Sequence, residues 1–173
     1  PSLAHYQALF AQCSRMMLSL QKLPVPVIAR VQGVATAAGC QLVAQCDLAE
    51  ASSEARFAVS GVNFGLFCAT PGVALSRNLS RKQALELLLT GEFIDAPTAL
   101  RQGLVNRIAP LDQLDAAIGQ LANSICNKSP LAIAMGKELF YQQLEMGLEK
   151  AYARASEVMA CNMNSEDARE GID

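Results

Sequence analysis

Helical stripes of apolar residues mark both ends of this chain, with short β-rich runs between them. Tyr6, Phe10, Cys13, Met17 and Leu20 step by four and three, which predicts a helix over residues 3–22 with one apolar stripe, stopped by Pro24 and Pro26. The run Val27 to Val31 predicts a strand, followed by a small-residue turn, a short helix over 38–46, and strands at Leu48 to Ala51 and Arg56 to Ala58. Phe64 to Gly72 reads as a loop rich in Gly, Pro and Thr, with a brief helix at Val73 to Arg77 and a firmer one at Arg81 to Leu89 between a Ser80 N-cap and a Gly91 stop. Leu104 to Ile108 reads as one more strand, closed by Pro110. Beyond it Leu111, Leu114, Ile118, Leu121 and Ile125 recur at helical spacing, Pro130 opens a second helix and Leu148 to Asn162 carries a third. Core packing is the simplest expectation for these stripes, with subunit contacts as the alternative.

A length of 173 residues at 51% hydrophobic composition fits one domain with a real core. The strand and helix part over 1–110 and the helical region over 111–173 are therefore expected to be parts of a single α/β domain.

Charge and cysteine usage narrow the function classes. The formal charge is −2, with 14 basic and 16 acidic residues and no run of about five like charges, so no nucleic acid and no anionic membrane is expected as a partner. No apolar run approaches the roughly 18 residues that span a bilayer. Cys13, Cys40, Cys46, Cys68, Cys126 and Cys161 form no C-x-x-C pair, which predicts reduced, mostly buried thiols. With His5 as the single histidine, neither a zinc site nor a Ser-His-Asp triad has its material, and no metal is expected. A cytoplasmic location is the expectation, or a mitochondrial one with an upstream transit segment, since Pro1 is not a start methionine.

The most informative segment is Gly33-Val34-Ala35-Thr36-Ala37-Ala38-Gly39-Cys40-Gln41, continuing to Asp47. A strand exit that runs through small residues into a helix leaves backbone N–H groups unpaired and aimed outward, a ready cradle for an oxyanion. Close strand–helix packing also demands small residues and is the competing reading of the same turn.

This segment resembles the second signature of the crotonase superfamily, the enoyl-CoA hydratases and isomerases. Further matches run in the family's order through Pro26-Val27-Ile28-Ala29-Arg30-Val31, Leu89-Thr90-Gly91-Glu92, Gly103-Leu104-Val105, Lys128-Ser129-Pro130 and Glu166-Asp167-Ala168-Arg169-Glu170-Gly171-Ile172. Ala37-Ala38-Gly39-Cys40-Gln41 and Gly65-Leu66-Phe67-Cys68-Ala69-Thr70-Pro71-Gly72 look most like the group called enoyl-CoA hydratase domain-containing protein 3. The resemblance implies a ClpP/crotonase-like ββα spiral core followed by a C-terminal helical trimerisation region, hence a homotrimer or a dimer of trimers. It implies a coenzyme A thioester as ligand, no separate cofactor, and fatty acid metabolism as the setting for a lyase or isomerase. It places the oxyanion-donating N–H on Ala38 and the acyl thioester along Thr36, Ala37, Ala38, Ser60, Gly61, Cys68 and Ala69. It also implies that the family's leading segment, which supplies the first oxyanion N–H and much of the adenine and pantetheine pocket, precedes Pro1.

The same resemblance puts Gln41 and Gly61 where the family's hydratases carry two glutamates. Hydration needs a base for water and an acid for the α-carbon, each worth about 10²–10⁴-fold. Gln41 orients water but takes no proton, so the standard hydratase mechanism is disfavoured. Cys68 is a candidate substitute as base or nucleophile, against the plainer reading of a thiol filling a pocket wall. Asp47 and Glu54 read as structural or solvated carboxylates. Two functions remain open: an enoyl-CoA-handling enzyme with altered chemistry, and a non-catalytic CoA-thioester-binding or assembly subunit. A Clp-type serine protease lacks a usable histidine.

Overall fold

The computed structural model describes residues 2–170, and Gly171 and Ile172 of the closing motif lie outside them. In chain order the elements are α1 (Leu3–Lys22), β1 (Ile28–Val31), β2 (Val34–Thr36), α2 (Ala38–Gln45), β3 (Leu48–Ser52), β4 (Arg56–Ala58), a 3-10 turn (Ser60–Phe64), α3 (Ala69–Asn78), α4 (Arg81–Thr90), β5 (Ile94–Asp95), α5 (Ala96–Gln102), β6 (Arg107–Ala109), a second 3-10 turn (Leu111–Gln113), α6 (Leu114–Cys126), α7 (Pro130–Leu144), α8 (Leu148–Met163) and α9 (Glu166–Glu170).

Two small sheets stand side by side. One is parallel in the order β1-β3-β6, with Ile28 opposite Leu48 and Glu50 opposite Arg107. The other, β2-β4-β5, pairs Ala35 with Phe57 in parallel and Phe57 with Ile94 in antiparallel. The first four strands of the chain thus alternate between sheets, the turn of a spiral, before β5 joins β4 and β6 returns to β3. Phe57, Leu75, Val59 and Cys40 are fully buried between the sheets and helices α2 to α5. Burial of a side chain such as Phe57 contributes about 1.5–3 kcal/mol.

Local chemistry explains the boundaries, and several differ from those the periodicity predicts. At α4 a full capping box joins Ser80 and Gln83, and Gly91 closes the helix in the left-handed region at φ 64°. A side chain on Gly91 would also meet Val62 Cγ2 at 3.0 Å and Ser60 Cα at 3.1 Å, so the stop glycine lets the first 3-10 turn pack onto α4. Helix α3 begins at Ala69, well inside the expected loop, because Pro71 occupies its first turn, where no N–H is needed.

The expected strand Leu104 to Ile108 is displaced to Arg107–Ala109. Leu104 and Val105 instead turn their N–H groups back to Ala99 O and bury as the apolar cap of α5. Strands β2 and β5 and helices α5 and α9 are additions to the expected set. The short strands carry too few residues for a period, and β2 lies inside what reads as a turn.

The amphipathic helices correct the core-packing expectation. On α1 only Met17 of the stripe is buried, while Tyr6 and Phe10 lie about half exposed. No residue of α7 is buried, and on α8 only Ala151 is. Leu131, Phe140, Leu144, Leu148, Tyr152 and Met159 all face outward.

One network does fasten α7 to the core. Lys137 Nζ donates to Leu20 O and Val25 O, each at 2.9 Å, and to Asp47 Oδ2 at 2.6 Å. Asp47 also accepts from Val27 N at 2.6 Å and from the Tyr141 hydroxyl at 2.7 Å. Burial, followed by the Asp47 contact, pushes the Tyr141 hydroxyl well above the usual phenol range.

Candidate functional site

The site grows from the backbone at Ala37, the one non-glycine residue among those described with positive φ (φ 48°, ψ −116°). Such a conformation costs on the order of 1–3 kcal/mol and persists where the surroundings over-determine it. Here Ala37 N donates to Ala58 O at 3.0 Å, and Ala37 O accepts from Gln41 N at 3.0 Å as the first bond of α2. The strand β2 therefore delivers the chain to β4 and then rotates it abruptly into the helix.

The rotation leaves the N–H of Ala38, first residue of α2, without an acceptor among the described residues. Ala38 and Gly39 are exposed, and a Cβ built on Gly39 would meet nothing within 4 Å. The small size of Gly39 is thus not demanded by packing among the described residues. The positive end of the helix dipole adds to the attraction for a developing negative charge.

Gln41 follows one turn later. The residue is 5% exposed and its amide makes no hydrogen bond among the described residues. It is also not among the sealed orphan atoms, which are Gln45 Nε2, Glu50 Oε2 and Gln102 Oε1. Its amide thus ends where solvent-sized molecules reach it.

The first 3-10 turn lies beside the end of β2. Thr36 Oγ1 lies 3.4 Å from Ser60 Oγ, linking the end of β2 to the start of that turn. Gly61 O accepts from Leu66 N at 2.9 Å, folding the following loop back. In consequence a Cβ on Gly61 would lie 2.5 Å from Leu66 O and 2.7 Å from Cys68 Sγ. The place for a side chain at position 61 is filled by a carbonyl and a sulfur. Cys68 itself is half-buried at the N-cap of α3, and Ala69 begins the helix, exposed.

The expected residues are brought together in part: Thr36 meets Ser60 through their hydroxyls, and Cys68 stands against Gly61. Neither Gln41 nor Gly61 offers a carboxylate. Asp47 lies at the far end of α2, bound to Lys137, and Glu54 is exposed between β3 and β4. His5 stacks edge-on to Tyr6 on the exposed side of α1.

The thiols differ from the expectation of burial. All six are free, but only Cys40 is buried; Cys13, Cys46 and Cys68 are intermediate, and Cys126 and Cys161 are exposed. Burial, with a smaller contribution from nearby Cys68, pushes the Cys40 thiol up to about 12.

Periodicity did not reveal the Lys137–Asp47–Tyr141 network or Glu50, which is 1% exposed with Oε1 3.5 Å from the Arg107 guanidinium. The alternation of Arg30, Glu50 and Arg107 across β1, β3 and β6 was readable only once the register was known. Open grooves lie elsewhere, including about 670 Å³ between α7 and α8 and 490 Å³ bounded by Val25, Ile28, Ile125 and Ile133. Among the described residues no cluster of His, Cys, Asp or Glu could hold a metal ion, and no helix is long and apolar enough to cross a membrane.

Residues 2–173 match the family described as enoyl-CoA hydratase/isomerase. Enoyl-CoA hydratase domain-containing protein 3, mitochondrial, of Xenopus laevis is 50% identical over 168 residues, covering 97% of this chain and 57% of that protein. The Homo sapiens protein of the same name is 46% identical over 168 residues, 97% of this chain and 55% of its own length. A crystal structure of enoyl-CoA hydratase from Mycobacterium smegmatis superimposes with a TM-score of 0.98 at 57% identity, covering 99% of this chain and 67% of that one. The crystal structure of human enoyl coenzyme A hydratase domain-containing protein 3 gives 0.94 at 47% identity, covering 98% and 68%. The chain spans just over half the length of these curated relatives.

Proposed function

We propose, because this chain belongs to the enoyl-CoA hydratase/isomerase family and within it to the enoyl-CoA hydratase domain-containing protein 3 group, that it holds a coenzyme A thioester with the carbonyl oxygen on the Ala38 N–H. The fold is the crotonase fold. The observation that carries the ligand assignment is the Ala38 amide, turned outward by the strained Ala37 and left without an acceptor. No separate cofactor is needed for this reading: the thioester is the ligand.

The chemistry differs from standard hydration. A carbonyl oxygen held by Ala38 becomes negative as an enolate forms, and the N–H stabilises that charge. With Gln41 and Gly61 in the glutamate positions, protons come from water or from the substrate itself, and a fast hydratase is excluded from this reading. The filled space at Gly61 favours a second reading, a non-catalytic CoA-thioester-binding or assembly subunit.

Calorimetry separates the readings when combined with turnover. Butyryl-CoA should bind more tightly than coenzyme A, and replacing the Ala38 amide by an ester should erase about 5–10-fold of that advantage, the worth of one hydrogen bond. An unchanged ratio would end the oxyanion assignment. Turnover of crotonyl-CoA above the uncatalysed rate supports an enzyme of lyase or isomerase type acting in fatty acid metabolism, and binding without turnover supports the subunit.

The outward apolar residues of α7 and α8 support assembly into a homotrimer or a dimer of trimers, which light scattering on the purified protein tests. The names of the relatives support a mitochondrial location in place of a cytoplasmic one.

A further inference from the structure

Helix α1 extends beyond the surface that holds it. Its C-terminal half buries Met17, and Lys137 of α7 donates to the Leu20 carbonyl, whereas every residue from Ser2 to Gln12 is exposed. Residues 3–12 therefore form an arm of about 15 Å that the core does not cover. The arm is far from polar: Leu3, Tyr6 and Phe10 prolong the stripe that buries Met17. Their spacing of i, i+3, i+7 is the one by which an amphipathic helix enters a groove. A free helix shorter than about 12–15 residues is marginal in water, so an arm with two exposed aromatic rings calls for a partner surface.

Helices α7 and α8 leave an open groove of about 670 Å³ between them. Met135, Met159 and Met163 border it, unbranched side chains that adapt to an aromatic ring. Ala132, Gly136 and Ala155 keep it clear, and a Cβ built on Gly136 would meet nothing within 4 Å. The charges of arm and groove are complementary. Helix α1 carries Arg15 and Lys22, no acidic residue, and no ion pair among the described residues. Residues 130–170 hold seven acidic residues against four basic ones. Within one chain the Lys137 contact pins α1 beside α7 while arm and groove both stay uncovered, so the counterpart of each lies on another molecule.

We propose that Leu3, Tyr6 and Phe10 of one protomer seat in the α7–α8 groove of a second copy of this chain. The contact is heterologous: each protomer gives one arm and receives one, the relation that generates closed rings. The inference rests on the assembly reading above and names the two surfaces that meet.

The test follows the association of the full chain by light scattering over a concentration series. Tyr6→Asp/Phe10→Asp changes only exposed side chains and adds like charge toward the acidic helices, so it should raise the dissociation constant about 30-fold or more, as the loss of central aromatic anchors does. Gly136→Leu should have the same effect from the other side, by filling the groove with a better helix former. Both variants should still unfold cooperatively in urea. The photoreactive substitution Phe10→p-benzoylphenylalanine, made in an equal mixture of ordinary and ¹⁵N-labelled protein, should join α1 of one isotope to α7 or α8 of the other.

A parent that stays monomeric overturns this inference together with the assembly reading. An assembly that persists unchanged in both variants overturns this inference and leaves the assembly reading standing. Cross-links confined to one isotope mean that the arm meets its own chain and refute the exchange. Cross-links between isotopes that land outside α7 and α8 assign the arm to a different surface and refute it equally.

Discussion

Lys137 Nζ lies 2.6 Å from Asp47 Oδ2, with both side chains almost wholly buried. The pair joins helix α7 to the end of α2, so the C-terminal helices, which bury almost nothing else in the core, depend on it. Removal of one partner strands the other charge away from water, a loss of about 3–5 kcal/mol. Asp47→Ala should therefore unfold at much lower urea concentration than Lys137→Met/Asp47→Leu, in which no buried charge is left. A similar midpoint for the two variants would show that the pair is not energetically coupled.

Position 61 is closed to side chains. Since a Cβ there would stand 2.5 Å from a backbone carbonyl, Gly61→Glu cannot restore a hydratase carboxylate by itself. The variant should lose about 1–3 kcal/mol in denaturant unfolding through overpacking and gain no crotonyl-CoA hydration. Adding Cys68→Ala relieves only the sulfur contact, so the double variant should recover part of the stability and still no activity.

Alkaline stability should report on Cys40. Its folded thiol titrates near 12, whereas the ordinary value is 9.0. Above pH 9.0 the unfolded chain releases this proton while the folded chain keeps it, so the folded state binds more protons and stability falls as pH rises from 9.0 toward 12. The decline approaches about 1.4 kcal/mol per pH unit for this one group. Cys46 and Tyr141, both also raised, add to it. Cys40→Ala should flatten the stability profile between pH 9 and 10, measured by urea unfolding at each pH.

Much of this architecture was readable because it is local. Ser80, Gln83 and Gly91 announce both ends of α4 through their own hydrogen bonding, and the small-residue run after β1 locates the turn into α2. What escaped notice depends on partners distant in sequence. Strand β2 is three residues long and exists through pairing with β4, and Lys137 meets Asp47 across 90 residues. The outward stripes of α1, α7 and α8 show the limit of periodicity, which identifies an apolar face without saying what covers it. Gly61 marks the same limit at the site. Its lack of a carboxylate is plain from sequence, but the occupation of its side-chain space by Leu66 and Cys68 follows from a loop that folds back by a single backbone hydrogen bond.

Gln41 is the position at which lost chemistry can be returned. Its side chain has a place in the structure, it is isosteric with glutamate, and its amide holds no protein partner that the exchange would break. Gln41→Glu thus supplies a carboxylate in the first turn of α2 at a cost of about 1–3 kcal/mol for placing it unpaired at a site 5% exposed. Because burial disfavours the charged form, activity should rise with pH as the new carboxylate ionises. Crotonyl-CoA hydration, followed by loss of the conjugated thioester absorbance, should increase by about 10–100-fold, the lower part of the range for one general base acting without its partner acid. Butyryl-CoA affinity should be little changed, since the thioester oxygen stays on the Ala38 N–H. A folded variant that binds butyryl-CoA as the parent does, yet hydrates no faster, would mean that residue 41 does not face the β-carbon.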